Sequence, residues 1–260
     1  MLISELQERI QNAKTLDFGT ILGDSIELFK KTWLQGFLLQ LFNLVIALPF
    51  IIVLYIPLIG VMIANAENGY DHSETWSTLF AGMSIIYILF VIAGIFVLGA
   101  VQVALNAAFF RIMKKLDHNE HTTTNDFFYF LKGKYLSKAF VLMIVTILIS
   151  IPAMILCYIP FIYVIVPFSY FAFFFAFNPE LSVGDIVKVS FGLGNKKWLL
   201  TFGLLIVASL LSQIVGLLLC GVGVFFTAAF VYHPTYLIYK EVIGFEESNT
   251  DEEPQKIENL

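Results

Sequence analysis

The sequence predicts an all-α, polytopic membrane protein: six transmembrane helices with amphipathic helices at the interface, arranged as three repeats of one interfacial helix plus two spans. Three observations predict it. Of 260 residues, 58% are hydrophobic and 13% charged, with a mean hydropathy of +0.83, whereas a soluble domain carries about 25% charged residues. Four long stretches contain no Asp, Glu, Lys or Arg. The basic residues then fall on one side of the spans that those stretches define.

Residues 32–66 and 75–110 are charge-free over 35 and 36 positions, each enough for one span of about 20 residues and its approaches. Residues 139–179 and 198–239 are charge-free over 41 and 42 positions. Those two are too long for one helix and right for two joined by a tight turn, and "CYIP" (157–160) and "CGVG" (220–223) supply turn signals near their midpoints. Spans are expected near 38–63, 80–108, 138–158, 161–178, 198–219 and 222–240, within one transmembrane domain over 1–240. The runs are apolar on every face, which disfavours a membrane β-barrel, whose strands alternate over about 10 residues.

With six spans, both termini and the even loops share one side. That side holds all 15 Lys and Arg residues, and the opposite loops hold only Glu67, Asp71 and Glu74. Basic residues are retained in the cytoplasm during insertion, so both termini are expected in the cytoplasm, with the protein in the cell inner membrane. "MLISELQERIQNAK" has no uninterrupted apolar core, so no cleavable signal peptide is expected and the first span directs insertion. Residues 241–260 carry seven acids and one Lys and are expected to form a disordered cytoplasmic tail.

The repeat is written at the mouths of the spans. "KKTW" (30–33) and "NKKW" (195–198) each end an amphipathic stretch and open an apolar run. Before the first span, Phe18, Ile21, Leu22, Ile26 and Phe29 make a helical stripe; before the fifth, Val183, Ile186, Val187 and Phe191 do, with Ser182 and Asp185 at capping-box spacing. Before the third, Phe127, Phe128 and Leu131 make a weaker version. Lys30, Lys31, Trp33, Lys138, Lys196, Lys197 and Trp198 are the expected interface anchors, aromatic rings at headgroup level and ammonium groups toward phosphates.

Candidate chemistry is sparse. Apart from Lys138 and Lys240 at the cytoplasmic ends of their spans, no predicted span contains an Asp, Glu, Lys or Arg, which argues against ion-coupled transport. The ionisable exception is His233, flanked by Tyr232 and Tyr236 and followed by Pro234, a candidate polar intramembrane site in the inner leaflet; the plainer reading is a neutral histidine bonded to a neighbouring helix. Gln102, Asn106, Ser209, Ser212 and Gln213 can pair between helices. His118 and His121 have H-x-x-H spacing but no third ligand near, and metal sites need three or four. No metal or cofactor is expected. Cys157 and Cys220 fall in equivalent outer turns and read as free thiols, a disulfide being the alternative if they meet. No phosphate-binding loop, G-x-S-x-G or paired intramembrane carboxylate is present.

"FNPELSVGDIVKVSFGLGNKKWLLTFGLLIV" and "LLLCGVGVFFTAAFVYHPTYLIYKEVIG" resemble the C-terminal half of a loose group of uncharacterised bacterial six-span proteins, related to the membrane domain of glycerophosphoryl diester phosphodiesterases. The matching pieces are Lys196, Lys197 and Trp198, the turn Cys220–Gly223, and Pro234 followed by Tyr236 and Tyr239; "FGTILGDSIELFKKTW" is similar to the group's N-terminal entrance. The resemblance implies an integral inner-membrane protein without the catalytic domain. Three functions follow in order of fit: a non-catalytic component whose partners are membrane lipids or a membrane protein complex and not nucleic acid; a permease for a neutral or lipid-like substrate; and an intramembrane enzyme on lipid or isoprenoid.

Overall fold

A computed structural model of the chain describes residues 1–68, 85–156, 158–219 and 221–245. Cys157, Cys220, the loop acids Asp71 and Glu74 and the tail beyond 245 lie outside the described residues, so the expectations placed on them do too. The described residues are helical and contain no strand. In chain order they form α1 (Ile3–Gln11), α2 (Phe18–Asn68), α3 (Ile85–Asp117), a 3-10 segment (Thr124–Leu131), α4 (Gly133–Ile155), α5 (Ile159–Phe177), α6 (Val183–Lys196) and α7 (Trp198–Leu218). A broken helix follows: α8 (Val224–Thr227), a 3-10 turn (Ala228–Val231) and α9 (Tyr232–Val242). Five helices are long and apolar enough to cross a membrane: α2, α3, α4, α5 and α7. The chain is therefore an all-α, multi-pass membrane protein.

Two expectations need correction. The first interfacial helix and the first span are one rod. No Gly or Pro interrupts Asp24 to Gln35, so the helix runs on through "KKTW" to 51 residues, about 76 Å at 1.5 Å per residue. That is over twice the roughly 30 Å of bilayer hydrocarbon, so a large part of α2 stands outside it. By contrast, Lys132 takes an extended backbone before α4, and Lys197 breaks α6 from α7, so the second and third entrances do bend.

The sixth span, expected as one helix over 222–240, is in three pieces. Pro234 has no N–H for the Phe230 carbonyl and its ring crowds that carbonyl. The preceding turn tightens to 3-10 geometry at Ala228–Val231. Pro49 and Pro57 lie inside α2, which continues through both. Helix α9 ends at Val242, and Phe245 still packs on Phe177 at 4.7 Å between ring centroids, so the chain leaves the core five residues later than the composition of the tail implies.

The packed core gathers where the basic residues gather. Phe109, Phe110 and Met113 of α3, Phe127 and Phe130 of the 3-10 segment, Phe173–Phe175 of α5, and Tyr236 and Tyr239 of α9 are all but fully buried. Phe110 and Phe173 stack at 3.7 Å. Towards their other ends α2, α3, α4 and α7 turn large apolar side chains outward, Ile52 and Ile59 on α2, Leu89 on α3, Ile155 on α4 and Leu217 on α7. Only 6% of the most apolar window of α2 is buried. Water does not tolerate so broad an apolar belt on a monomer; acyl chains do.

Candidate functional site

Helix α9 carries the three residues singled out in the sequence, and the structure sends each to a different partner. His233 is 0% exposed. Its Nδ1 lies 3.0 Å from the Ala229 carbonyl and its Nε2 2.6 Å from Thr32 Oγ1. A carbonyl only accepts, so Nδ1 carries the proton and Nε2 offers its lone pair to the threonine hydroxyl. Thr32 Oγ1 also lies 3.1 Å from the Leu28 carbonyl, but it has one proton, and the shorter contact is to the ring. Phe29, Phe230 and Phe109 enclose the imidazole, with centroids at 5.4, 5.8 and 6.4 Å. Both nitrogens are used, so the arrangement is a clasp between α2 and α9.

Tyr236 reaches α3 instead. Its hydroxyl donates to Asp117 Oδ2 at 3.0 Å, and Lys240 Nζ shares the same oxygen at 2.7 Å. Tyr232 packs edge-on against Phe110 of α3 at 5.3 Å. Other polar groups within the helices close in the same way. Tyr170 and Thr201 are 2.7 Å apart, and Thr227 donates to the Ser212 carbonyl at 2.8 Å.

The anchors divide. Lys30 pairs with Glu27 on the surface at 2.6 Å, Lys196 is exposed, and Trp33 is exposed while packing on Phe226 at 6.3 Å. The others hold protein backbone or side chain. Lys138 Nζ donates to the carbonyls of Pro179 and, at 2.8 Å, Leu181. Lys197 Nζ donates to the Lys14 carbonyl. Lys31 Nζ approaches Asn119 Oδ1 at 3.5 Å. Trp198 Nε1 donates to the Tyr163 carbonyl at 3.0 Å.

Sequence reasoning missed Thr32, Asp117 and Arg111. Thr32 had a signal. It lies on the stripe Ile21, Ser25, Leu28, Thr32 that α2 buries, at spacings of four, three and four, whereas Phe18 and Ile26, read as part of the stripe, are exposed. Ser25 and Thr32 fit there because each hydroxyl also has a carbonyl four residues back.

Arg111 opens onto a cavity of about 410 Å³ at the basic end of the bundle, shared with Lys114, Lys115 and Glu120 and walled by Tyr129, Phe177, Asn178, Tyr239 and Phe245. The Arg111 guanidinium sits 4.0 Å over the Tyr129 ring and Lys114 Nζ 4.8 Å over the Phe245 ring. Lys115 is held at 2.8 Å by Asp126. Arg111, and after it Tyr135, beside the ring lower the Tyr129 phenol below its usual range against the opposing effect of burial. His118 bonds its own helix through the Lys114 carbonyl at 2.8 Å, and among the described residues no three His, Cys, Asp or Glu side chains gather to hold a metal.

Fold and site together define a class: a multi-pass helical membrane protein in which several polar groups of the helices clasp a neighbouring helix, with a basic, aromatic-walled cavity at one end. Comparison with protein-family models, with curated proteins and with solved structures finds no match, so the resemblance to the phosphodiesterase membrane domain gains no support from them.

Proposed function

We propose that the chain is a non-catalytic component of the cell inner membrane that engages lipids or organises a membrane complex, with both termini in the cytoplasm. One observation carries this reading. Several polar groups in the helices bond from helix to helix, His233 with Thr32, Tyr170 with Thr201 and Thr227 with Ser212, with Gln35 Oε1 and Thr235 Oγ1 buried without a partner among the described residues, while the far half of the bundle presents an apolar belt. Chemistry on a substrate needs polar groups left to meet it. A permease would set its polar residues along one inward face. Here Gln213 points outward, Ser212 is buried, and Gln102 lines a cavity of about 150 Å³ with Asn43.

Mass spectrometry of the protein in native lipid particles tests the reading. An enriched lipid or a reproducible partner protein supports it; a chemically altered small molecule at stoichiometric level replaces it with an enzyme. For orientation, single cysteines at Lys132 and Asp71 are exposed to an impermeant maleimide on intact cells. Labelling of Asp71→Cys alone fits cytoplasmic termini, and labelling of Lys132→Cys alone reverses them.

A further inference from the structure

We propose that the groove between α1 and the corner where α6 meets α7 is a binding site for an anionic phospholipid of the cytoplasmic leaflet. The proposal deepens the lipid reading and rests on it, adding a headgroup charge and a place. Two hollows adjoin there and share Asn195 and Lys196. The first, about 450 Å³, is polar, with Gln7 and Gln11 of α1 across from Lys188, Asn195 and Lys196 of α6. The second, about 620 Å³, is walled chiefly by Leu16, Phe18, Trp198, Leu199 and Leu200. The polar hollow carries a charge that nothing on its lining cancels. Lys188 and Lys196 are exposed, and among the described residues neither has an ion-pair or hydrogen-bond partner. No acid lines either hollow. Asp185 is engaged with Ser182, Asp17 with Thr20 and Glu5 with Arg9, and Glu8 is exposed and off the lining. Asn195 Oδ1 accepts the Tyr163 hydroxyl, which leaves the amide N–H groups of Asn195 to donate to a headgroup.

The apolar hollow opens onto a lane. Leu199, 79% exposed, begins a row with Ile206, Leu210, Ile214 and Leu217, all of them exposed, at spacings of seven, four, four and three that keep to one face of a helix. From Leu199 to Leu217 the row runs about 27 Å at 1.5 Å per residue, longer than the roughly 15 Å of hydrocarbon in one leaflet. Trp198 stands at the junction of lysines and lane, and tryptophan settles at headgroup level. Two unanswered lysines at the head of an apolar lane match an anionic headgroup above acyl chains. A neutral lipid would leave the lysines unanswered, and a water-soluble anion would leave the lane uncovered.

The test uses the full chain in neutral detergent, titrated separately with phosphatidylglycerol, phosphatidylcholine and inorganic phosphate, with occupancy counted by native mass spectrometry. One saturable equivalent of phosphatidylglycerol is expected, held in preference to phosphatidylcholine. The double variant Lys188→Gln with Lys196→Gln should bind it about ten-fold or more weakly, the scale of two lysines lost beside an anionic headgroup, with melting unchanged. Lys30→Gln, whose lysine pairs with Glu27 on the surface, should bind as wild type does. If the double variant does not fold, Trp198 supplies a second measurement. With Trp33→Phe and Trp76→Phe in place, phosphatidylglycerol brominated on its acyl chains should quench the remaining indole more than brominated phosphatidylcholine does, and equal quenching overturns the site. Phosphatidylglycerol held equally by wild type and a folded double variant overturns the groove while leaving lipid engagement elsewhere intact. Retention of neither lipid overturns the groove and the lipid reading together. Inorganic phosphate that saturates the lysines while no lipid is retained gives the groove to a free phosphate compound and overturns the phospholipid as its occupant.

Discussion

Lys197 Nζ donates to the backbone carbonyl of Lys14, 183 residues earlier in the chain. The contact belongs to a ring of three. Lys31, at the first entrance, reaches Asn119 in the linker before the second amphipathic segment. Lys138, at the second, holds Pro179 and Leu181 in the linker before the third. Lys197, at the third, holds the linker before the first. Each unit grips the approach to the next, and the last grips the first. Three units that merely followed one another would leave the last without such a partner, so the clasps close the repeat into a cycle.

The cycle makes a prediction for Lys197, which is 8% exposed. Lys197→Met strips the Lys14 carbonyl of a charged donor and should cost about 1.5–3 kcal/mol. Lys196→Met, one residue away and exposed, should stay within about 0.5 kcal/mol. Thermal unfolding in detergent compares them, and equal losses would reduce Lys197 to a surface charge.

The fold class, the hairpin turns and the Ser182 cap were legible in the sequence, because hydropathy, Gly/Pro punctuation and cap spacing are local. Ser182 Oγ indeed accepts the Asp185 N–H at 3.1 Å. What was not legible depends on partners far along the chain. Lys138 and Lys197 look like headgroup anchors in a linear reading, since a lysine at a span mouth looks the same whether it meets a phosphate or a carbonyl. The Arg111 cavity was hidden for the same reason: its aromatic walls come from the 3-10 segment, α5, α9 and Phe245, and only folding assembles them. The His233 position was legible but its partner was not, because Thr32 lies 201 residues away.

The His233 clasp predicts the effect of removing Thr32's hydroxyl. Thr32→Val keeps the shape and leaves Nε2 buried without a donor, so about 1–3 kcal/mol should be lost. Thr32→Ser should recover most of that. Melting curves of the two variants decide it, and a harmless Thr32→Val would mean that the ring does not depend on this bond.

Gly194 sits where α6 crosses α5. A methyl group there would lie 2.9 Å from both Cα and Cγ of Pro167, and backbone cannot yield cheaply. Gly194→Ala should therefore cost about 1–3 kcal/mol. Gly23, inside α2, has nothing within 4 Å of such a methyl, so Gly23→Ala should be neutral or stabilise by up to about 1 kcal/mol through helix propensity. Opposite signs in chemical denaturation are expected; matching signs would point to propensity alone.

Asp126 gives a pH dependence with a definite sign. Burial works to raise its pKa, but the Lys115 ammonium and the Thr123 N–H, bonded to its two oxygens at 2.8 Å each, hold the carboxyl below the usual aspartate range. A depressed folded pKa means that the unfolded chain takes up the proton first as pH falls. The stabilisation is then fully present above the unfolded value near 4 and disappears as pH drops through the lower folded value. Asp126→Asn should cost about 1 kcal/mol at neutral pH, a cap plus a partly exposed ion pair. The gap to wild type should close between about pH 4 and pH 2, where both side chains are neutral. Melting temperatures measured from pH 7 downward check this. A gap that stays constant across that range would mean that the carboxylate charge contributes nothing, and that the 3-10 segment is held by its buried Phe127 and Phe130 alone.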